Sequence, residues 1–331
     1  MSNNLKIGVV GLGRLGFQHC ENVVRSVGAD LVAVSDLYAP ALERATSTFA
    51  VKGFDDYLDM LENVEMDAVV VATPTQTHYD ILVNLIERNV PIFCEKPMTY
   101  TLEEAEKILK LTKEKNAYIQ IGYMRRFDPG HVRAKELISS GDYGEPIYFH
   151  DCQRDPNGPP ADYVPMSGGL FVDMAIHDLD VARWIMGSEV SEVYAQGAVL
   201  KHEYLKDLND IDEGQILLKF DNGSLGMIEV SRNAYNVYDV RTEVVCKKSS
   251  FFVGQNQLTP LTVVGDESIT VDMANWVLQR FKDAYELEMQ AFVDCVKNGL
   301  ESPVGAYDGY MGLKLALAAT ESFRSKKPIT L

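Results

Sequence analysis

The stretch Leu5-Lys-Ile-Gly-Val-Val-Gly-Leu-Gly-Arg-Leu-Gly constrains this chain more than any other. An apolar run, Leu5–Val10, leads straight into a G-x-G-x-x-G formed by Gly11, Leu12, Gly13, Arg14, Leu15 and Gly16, and helical periodicity then continues to about Val27. A lone G-x-G-x-x-G is weak. Here a second apolar run, Leu31–Ser35, follows and ends in Asp36, twenty residues after Gly16. Strand, glycine turn, helix, strand and acid in that order form the fingerprint of a dinucleotide-binding βαβ unit. Gly11 permits the tight turn, Gly13 lets a pyrophosphate approach the backbone at the helix N-terminus, and Gly16 lets helix and strand pack closely. The competing reading is a glycine-rich βα turn that binds nothing.

The same alternation continues. Apolar runs at Ala68–Ala72, Pro91–Cys94 and Tyr118–Tyr123 are separated by helical patterns at 41–49, 77–87 and 102–115. Continuous apolar strands between amphipathic helices predict a parallel sheet covered on both faces, a doubly wound Rossmann domain over residues 1–124. The pattern changes near Arg125. After a helix at 130–139 come segments of alternating polarity at 147–152, 190–200, 215–220, 225–231, 243–246 and 249–253, with a hairpin signal at Asp221-Asn222-Gly223. These predict an open antiparallel sheet with helices at 168–186, 279–298 and 308–325, so that residues 125–331 form an α+β substrate and oligomerisation domain. The last helices are candidates to pack back on the first domain.

Composition mostly excludes. With 31 basic and 48 acidic residues the 331-residue chain carries a formal charge of −17, which repels nucleic acid and anionic membranes. The bland reading of most of these carboxylates is solubility. No apolar run is long enough to span a bilayer. The opening Met1-Ser-Asn-Asn-Leu-Lys-Ile lacks a leader's layout, and five scattered cysteines without a Cys-x-x-Cys predict reduced thiols in a cytoplasmic protein.

Four places carry candidate chemistry. Asp36 would accept hydrogen bonds from the adenosine ribose and repel a 2′-phosphate, and Ser35 and Leu37 beside it offer no arginine. This favours NAD over NADP, although Arg44 could reach in from the next helix. Thr73, Pro74 and His78 follow the third apolar run, at the edge of the sheet where ligands bind; His78 is equally a cap or a cofactor neighbour. Glu95-Lys96-Pro97 ends the fourth run. Lys96 there could hydrogen-bond a substrate hydroxyl and favour a developing alkoxide, though a surface lysine is the commoner reading. Asp173 and His177 are four residues apart on a predicted helix face, which suits a general base with a neighbouring carboxylate. A buried satisfied histidine, a surface pair, or a metal site with Asp180 are the rivals; with six histidines in all and no His-Glu-x-x-His, no metal is expected.

Taken together, Gly11–Gly16, Glu95-Lys96-Pro97 and Gly168-Gly169…Asp173…His177-Asp-Leu-Asp resemble the glucose–fructose oxidoreductase/inositol dehydrogenase/MocA-type family along essentially the whole chain. The inositol 2-dehydrogenase branch is the strongest match, through Gly122-Tyr-Met-Arg-Arg-Phe-Asp128, residues 284–292 and Asp308-Gly-Tyr310. The resemblance implies Lys96, Asp173 and His177 as the active-site trio. It implies Gly11–Gly16, Asp36, Thr73, Pro74, His78, Glu95 and Lys96 around NAD, and Arg126, Gln153, Asp155 and Tyr235 beside Asp173 and His177 around a substrate. It also implies oxidation of a ring polyol, most readily myo-inositol, to a ketone, and a homo-oligomer, tetramer or dimer, built on the open sheet. Inositol dehydrogenases tend to carry His and Asn where this chain has Gln153 and Asp155, so scyllo-inositol, another cyclitol or an aldose stay open. So do a member that keeps and recycles its cofactor and a non-catalytic NAD- or sugar-binding regulator. Tyr235, Tyr238 and Tyr285 are possible pocket walls.

Overall fold

The computed structural model describes residues 4–235, 237–254, 257–264, 266 and 268–331; residues 1–3, part of the stretch tested for a leader, lie outside them. Two compact units form, one from residues 1–124 with 285–313, the other from 125–284 with 314–331. In chain order the first 124 residues give β1 (Leu5–Val10), α1 (Arg14–Arg25), β2 (Ala29–Ser35), α2 (Ala39–Phe49), β3 (Lys52–Phe54), α3 (Tyr57–Asn63), β4 (Ala68–Val71), α4 (His78–Glu87), β5 (Ile92–Glu95), α5 (Leu102–Lys115) and β6 (Ile119–Gly122). The strands form one parallel sheet in the order β3-β2-β1-β4-β5-β6. Strand order reverses between β1 and β4, which opens the ligand crevice of a doubly wound sheet at their carboxyl ends.

Burial explains the continuous apolar runs. β4 and β5 are buried at every residue, as expected for strands covered on both faces. The core gathers Ile7, Val9, Val34, Val70 and Phe93, and is sealed by Met289, Phe292 and Val293 from the returning segment. Phe292 meets Phe93 edge-on at 5.8 Å and Tyr118 at 5.8 Å. The short β3 and α3 escape the sequence pattern because three residues of Lys-Gly-Phe carry no period.

The second unit contains α6 (Pro129–Ser139), β7 (Pro146–Arg154), α7 (Val164–Ser167), a π-helical turn at Phe171–Ala175, α8 (Ile176–Met186), β8 (Val190–Ala198), α9 (Tyr204–Asp207), β9 (Glu213–Phe220), β10 (Leu225–Ser231), β11 (Asp239–Cys246), β12 (Ser250–Val253), β13 (Gln257–Val264), β14 (Ile269–Met273) and α10 (Val277–Arg280). The long α11 (Lys282–Asn298) and α12 (Ala306–Ser325) are divided between the units, and β15 (Ile329–Thr330) closes the chain. Seven strands form a sheet in the order β12-β11-β7-β10-β9-β8-β15. It is mixed and not purely antiparallel, because β10 runs parallel to β7. Parallel neighbours require a long crossover, and here residues 155–224, with α8 and the β8–β9 pair, supply it. The hairpin signal does turn β9 into β10: Phe220 N–H donates to Ser224 O at 3.0 Å and Gly223 takes φ +84°. Along β9 alternate residues are buried, while Gln215, Leu217 and Lys219 face outward. One sheet face is therefore core and the other open.

Phe292→Ala should cost about 3–5 kcal/mol of stability, the range for deleting a fully buried aromatic. Denaturant unfolding measures it, and a loss below about 1 kcal/mol would contradict a core sealed by α11.

Candidate active site

In the first unit the glycine turn sets the geometry. Gly11 takes φ +89°, and a Cβ added there would lie 2.6 Å from the Ala72 carbonyl. A Cβ on Gly16 would lie 1.8 Å from Gly11 O, so helix and turn can touch only through a glycine. Gly13 differs, since a Cβ there would meet nothing within 4 Å. That open space sits over the start of α1, where no side chain caps the helix and its first N–H groups can take a phosphate. Arg14 and Leu15 form the first turn, with Arg14 exposed. The Asp36 carboxylate is pinned beside this space: Leu12 N–H donates to Oδ2 at 2.6 Å and Tyr38 N–H to Oδ1 at 2.7 Å. Arg44 lies over the Phe17 ring at 4.0 Å and donates to Leu12 O at 3.4 Å. The residues present thus suit a dinucleotide with a free ribose.

The strand ends after β4 and β5 are tied together by His78. Its Nδ1 lies 2.9 Å from Pro97 O and its Nε2 2.9 Å from Thr73 O. Burial holds its pKa below the usual histidine value, against the pull of those carbonyls. His78 is a clamp inside the sheet edge, and Thr73 and Pro74 form the loop it fixes. Glu95, the last residue of β5, is buried; it accepts from His19 Nε2 at 2.7 Å and from Lys96 N–H at 3.2 Å. Lys96 itself is half-buried, and its peptide bond to Pro97 is cis.

In the second unit the regular helix expected over 168–186 is interrupted. Residues 171–175 form a π turn before α8 begins, so Asp173 does not sit on an unbroken α-helical face. Such turns concentrate at functional sites. Asp173 is held from two sides, by Tyr163 OH at 2.8 Å and by Arg232 Nη2 at 3.1 Å. Arg232 is itself buried and donates through Nη1 to Asp210 at 2.7 Å. His177 follows one turn later and is 7% exposed. No spacing in the sequence singles out Tyr163, Asp210 or Arg232. They lie ten, 37 and 59 positions from Asp173, on other elements.

Arg126 forks onto Asp180, with Nε at 2.8 Å and Nη2 at 2.6 Å from its two oxygens. That pair is buried, which leaves neither residue placed as a free ligand. Among the described residues no cluster of three or more His, Cys, Asp or Glu could hold a metal ion. Arg125 is 1% exposed. It donates to Asp178 at 2.5 Å, to Asp151 at 3.3 Å and to Gln153 Oε1 at 2.5 Å. Burial and the neighbouring Asp178 push the Asp151 carboxyl well above its ordinary range, against the pull of Arg125. The network continues through Thr242, which donates to Asp151 at 2.7 Å, to His131 and Asp128. Gln153 is therefore buried with its amide oxygen occupied. Asp155 is half-buried and lies at the end of β7, its backbone paired to Ser231 and Ala234. Tyr235 is 83% exposed beside Lys201, whereas Tyr238 and Tyr285 are each 5% exposed and pack on Phe281 and His19 respectively.

Two family models cover nearly the whole chain: the oxidoreductase family's NAD-binding Rossmann fold over residues 5–123 and its C-terminal alpha/beta domain over 135–331. The chain belongs to the Gfo/Idh/MocA oxidoreductase family. It is an oxidoreductase whose first unit is an NAD-binding domain. Among relatives of this Gfo/Idh/MocA enzyme, the scyllo-inositol 2-dehydrogenase (NAD(+)) of Bacillus subtilis is 37% identical over 333 residues, covering 100% of this chain and 97% of that protein. The myo-inositol 2-dehydrogenase of Thermotoga maritima is 35% identical, covering 99% and 98%. The crystal structure of scyllo-inositol dehydrogenase from Lactobacillus casei with bound NAD(H) and scyllo-inositol superposes with a TM-score of 0.93 at 31% identity, over 99% of each chain.

Asp36→Ala should raise the KM for NAD at least tenfold and narrow its advantage over NADP, because the ribose loses its acceptor and a phosphate loses its repulsion. Steady-state kinetics with both cofactors reads this; an unchanged NAD/NADP ratio would contradict the role. A second expectation concerns acid stability. Burial works to raise the Asp128 carboxyl, but His131 and Arg280 outweigh it and hold it well below the usual range. A depressed carboxyl stabilises the fold fully above its unfolded value, about 4, and that contribution disappears as pH falls. The stability of Asp128→Asn should therefore lie below wild type near pH 7, and the gap should begin to close as pH falls below about 4 and narrow further with added acid. Denaturant titrations across that range test the sign.

Proposed function

We propose that this protein catalyses NAD-dependent oxidation of a ring polyol hydroxyl to a ketone, myo-inositol to 2-keto-myo-inositol. The observation that supports it most is the presence of Lys96, Asp173 and His177, the trio the family resemblance implies, in a chain matched end to end by inositol dehydrogenases. Scyllo-inositol is the second reading, favoured by the 37% identity to an enzyme named for that isomer, while Gln153 and Asp155 leave other cyclitols and aldoses open.

Bound nicotinamide supplies the acceptor for the hydride of the carbinol carbon. Gly13 and the start of α1 receive its pyrophosphate, and Asp36 its ribose. His177 takes the proton of the reacting hydroxyl as its C–H bond breaks. Lys96 donates a hydrogen bond to that oxygen and stabilises the charge it gains. Asp173 binds a second hydroxyl, and Tyr163 and Arg232 hold it in place. The protein is read as cytoplasmic, in keeping with its free cysteines, and as a homo-oligomer, tetramer or dimer. The open sheet face supports association: Leu217 is 52% exposed there, in register with Met227 and Tyr194 on the neighbouring strands, and Leu225 on β10 is 54% exposed. Burying such a patch on a second copy is how apolar faces are ordinarily covered.

The test is NADH formation from NAD with myo-, scyllo- and chiro-inositol and glucose. Turnover on an inositol is expected, and His177→Ala should lose about 10²–10⁴-fold in kcat with its fold intact. No NADH from any inositol, despite demonstrated NAD binding, would overturn the reading.

A further inference from the structure

One buried ionisable pair in the first unit is not needed by the chemistry above. His19 lies on α1, the helix whose N-terminus faces the cofactor space, and its side chain is wholly buried. Its Nε2 donates to Glu95 Oε1 at 2.7 Å. The other oxygen of that carboxylate accepts from the backbone N–H of Lys96 at 3.2 Å. One carboxylate thus links the cofactor helix to the backbone of the active-site lysine.

The surroundings are shaped for that link. Gly122 pairs with Glu95 across β5 and β6, and a Cβ on it would lie 3.0 Å from Glu95 Oε2. The Phe93 and Tyr285 rings pack around the imidazole at 5.0 and 6.1 Å. The opposite nitrogen, His19 Nδ1, is buried with no hydrogen-bond partner among the described residues. An unsatisfied buried nitrogen is a cost that an apolar residue at this position would avoid. Such a cost is expected where geometry, and not stability, is the requirement.

We propose that His19 is a positioning residue for Lys96: through Glu95 it fixes the lysine backbone relative to the helix that takes the cofactor pyrophosphate. The inference rests on the proposed catalytic role of Lys96. Without the strut the ammonium keeps its charge but loses its registration with the reacting oxygen. A displacement of about 1 Å is enough to cost on the order of 10²-fold in rate.

A double-mutant cycle tests it, with kcat on the inositol substrate and NAD affinity by fluorescence titration as readouts. His19→Ala should lower kcat about 10–100-fold and leave the NAD Kd within about threefold. In a Lys96→Ala background the same change should cost less than about threefold, because the residue it serves is gone. His19→Gln, which keeps an N–H donor at similar reach, should recover most of the lost kcat. Equal losses in both backgrounds, or a folded His19→Gln with no recovery, would overturn the proposal. If Lys96→Ala alone leaves kcat unchanged, the catalytic reading of Lys96 fails instead, a distinguishable result. Should His19→Ala not fold, Glu95→Gln is run through the same cycle. Its amide matches the carboxylate in volume but cannot accept from both His19 and Lys96, so it should again cost kcat only when Lys96 is present.

Discussion

The close approach of Gly16 to the Gly11 carbonyl is the contact on which the first unit depends. Any side chain at Gly16 would occupy the position of that oxygen. With only hydrogens between them, α1 lies tight against the turn after β1. Its N-terminus then opens onto the space above Gly13, and Asp36 from β2 can fold over to Leu12 N–H. The same placement carries His19, one turn further along, into reach of Glu95. The Asp36–Leu12 contact and the His19–Glu95 contact are therefore two results of one steric constraint.

The second unit is organised by buried charge. Arg125, Arg126 and Arg232 are each at most 9% exposed and each meets carboxylates. Removing one partner from such a pair strands the other in a low-dielectric interior, typically at a cost of about 3–5 kcal/mol. Part of the chain's acidity is thus structural and not a matter of solubility. Asp151, Asp178, Asp180 and Asp210 are buried acceptors for arginines, and Asp212 accepts backbone N–H groups at 200–202. These networks reach Gln153 through Arg125 and Asp173 through Arg232 and Tyr163.

Much of this was legible beforehand, for identifiable reasons. β1, α5 and β10 fall where their patterns placed them, because an unbroken apolar run, an amphipathic helical period and an alternating strand are local signals. The two halves of the exposed hairpin, β13 and β14, escaped. They have no buried face to impose a period, and Pro260 interrupts the first. The parallel pairing of β10 with β7 escaped because strand order is decided by which neighbour each strand finds, not by its own residues. The π turn at 171–175 escaped because one residue's shift in helical phase is invisible in an apolar pattern.

The sequence by itself determined the doubly wound unit, the glycine turn, the aspartate that follows the second strand, and the family, since each is carried by neighbouring residues whose spacing is set by backbone geometry. Only the tertiary structure decided which side chains hold the site. Arg126 is committed to Asp180, His78 clamps two loops, Asp173 is held by Tyr163 and Arg232, and Glu95 is shared between His19 and Lys96. Such partners come from elements tens of residues apart. A hydrogen bond between them leaves no period, no spacing and no composition in the chain, and exists only once the strands and helices have packed.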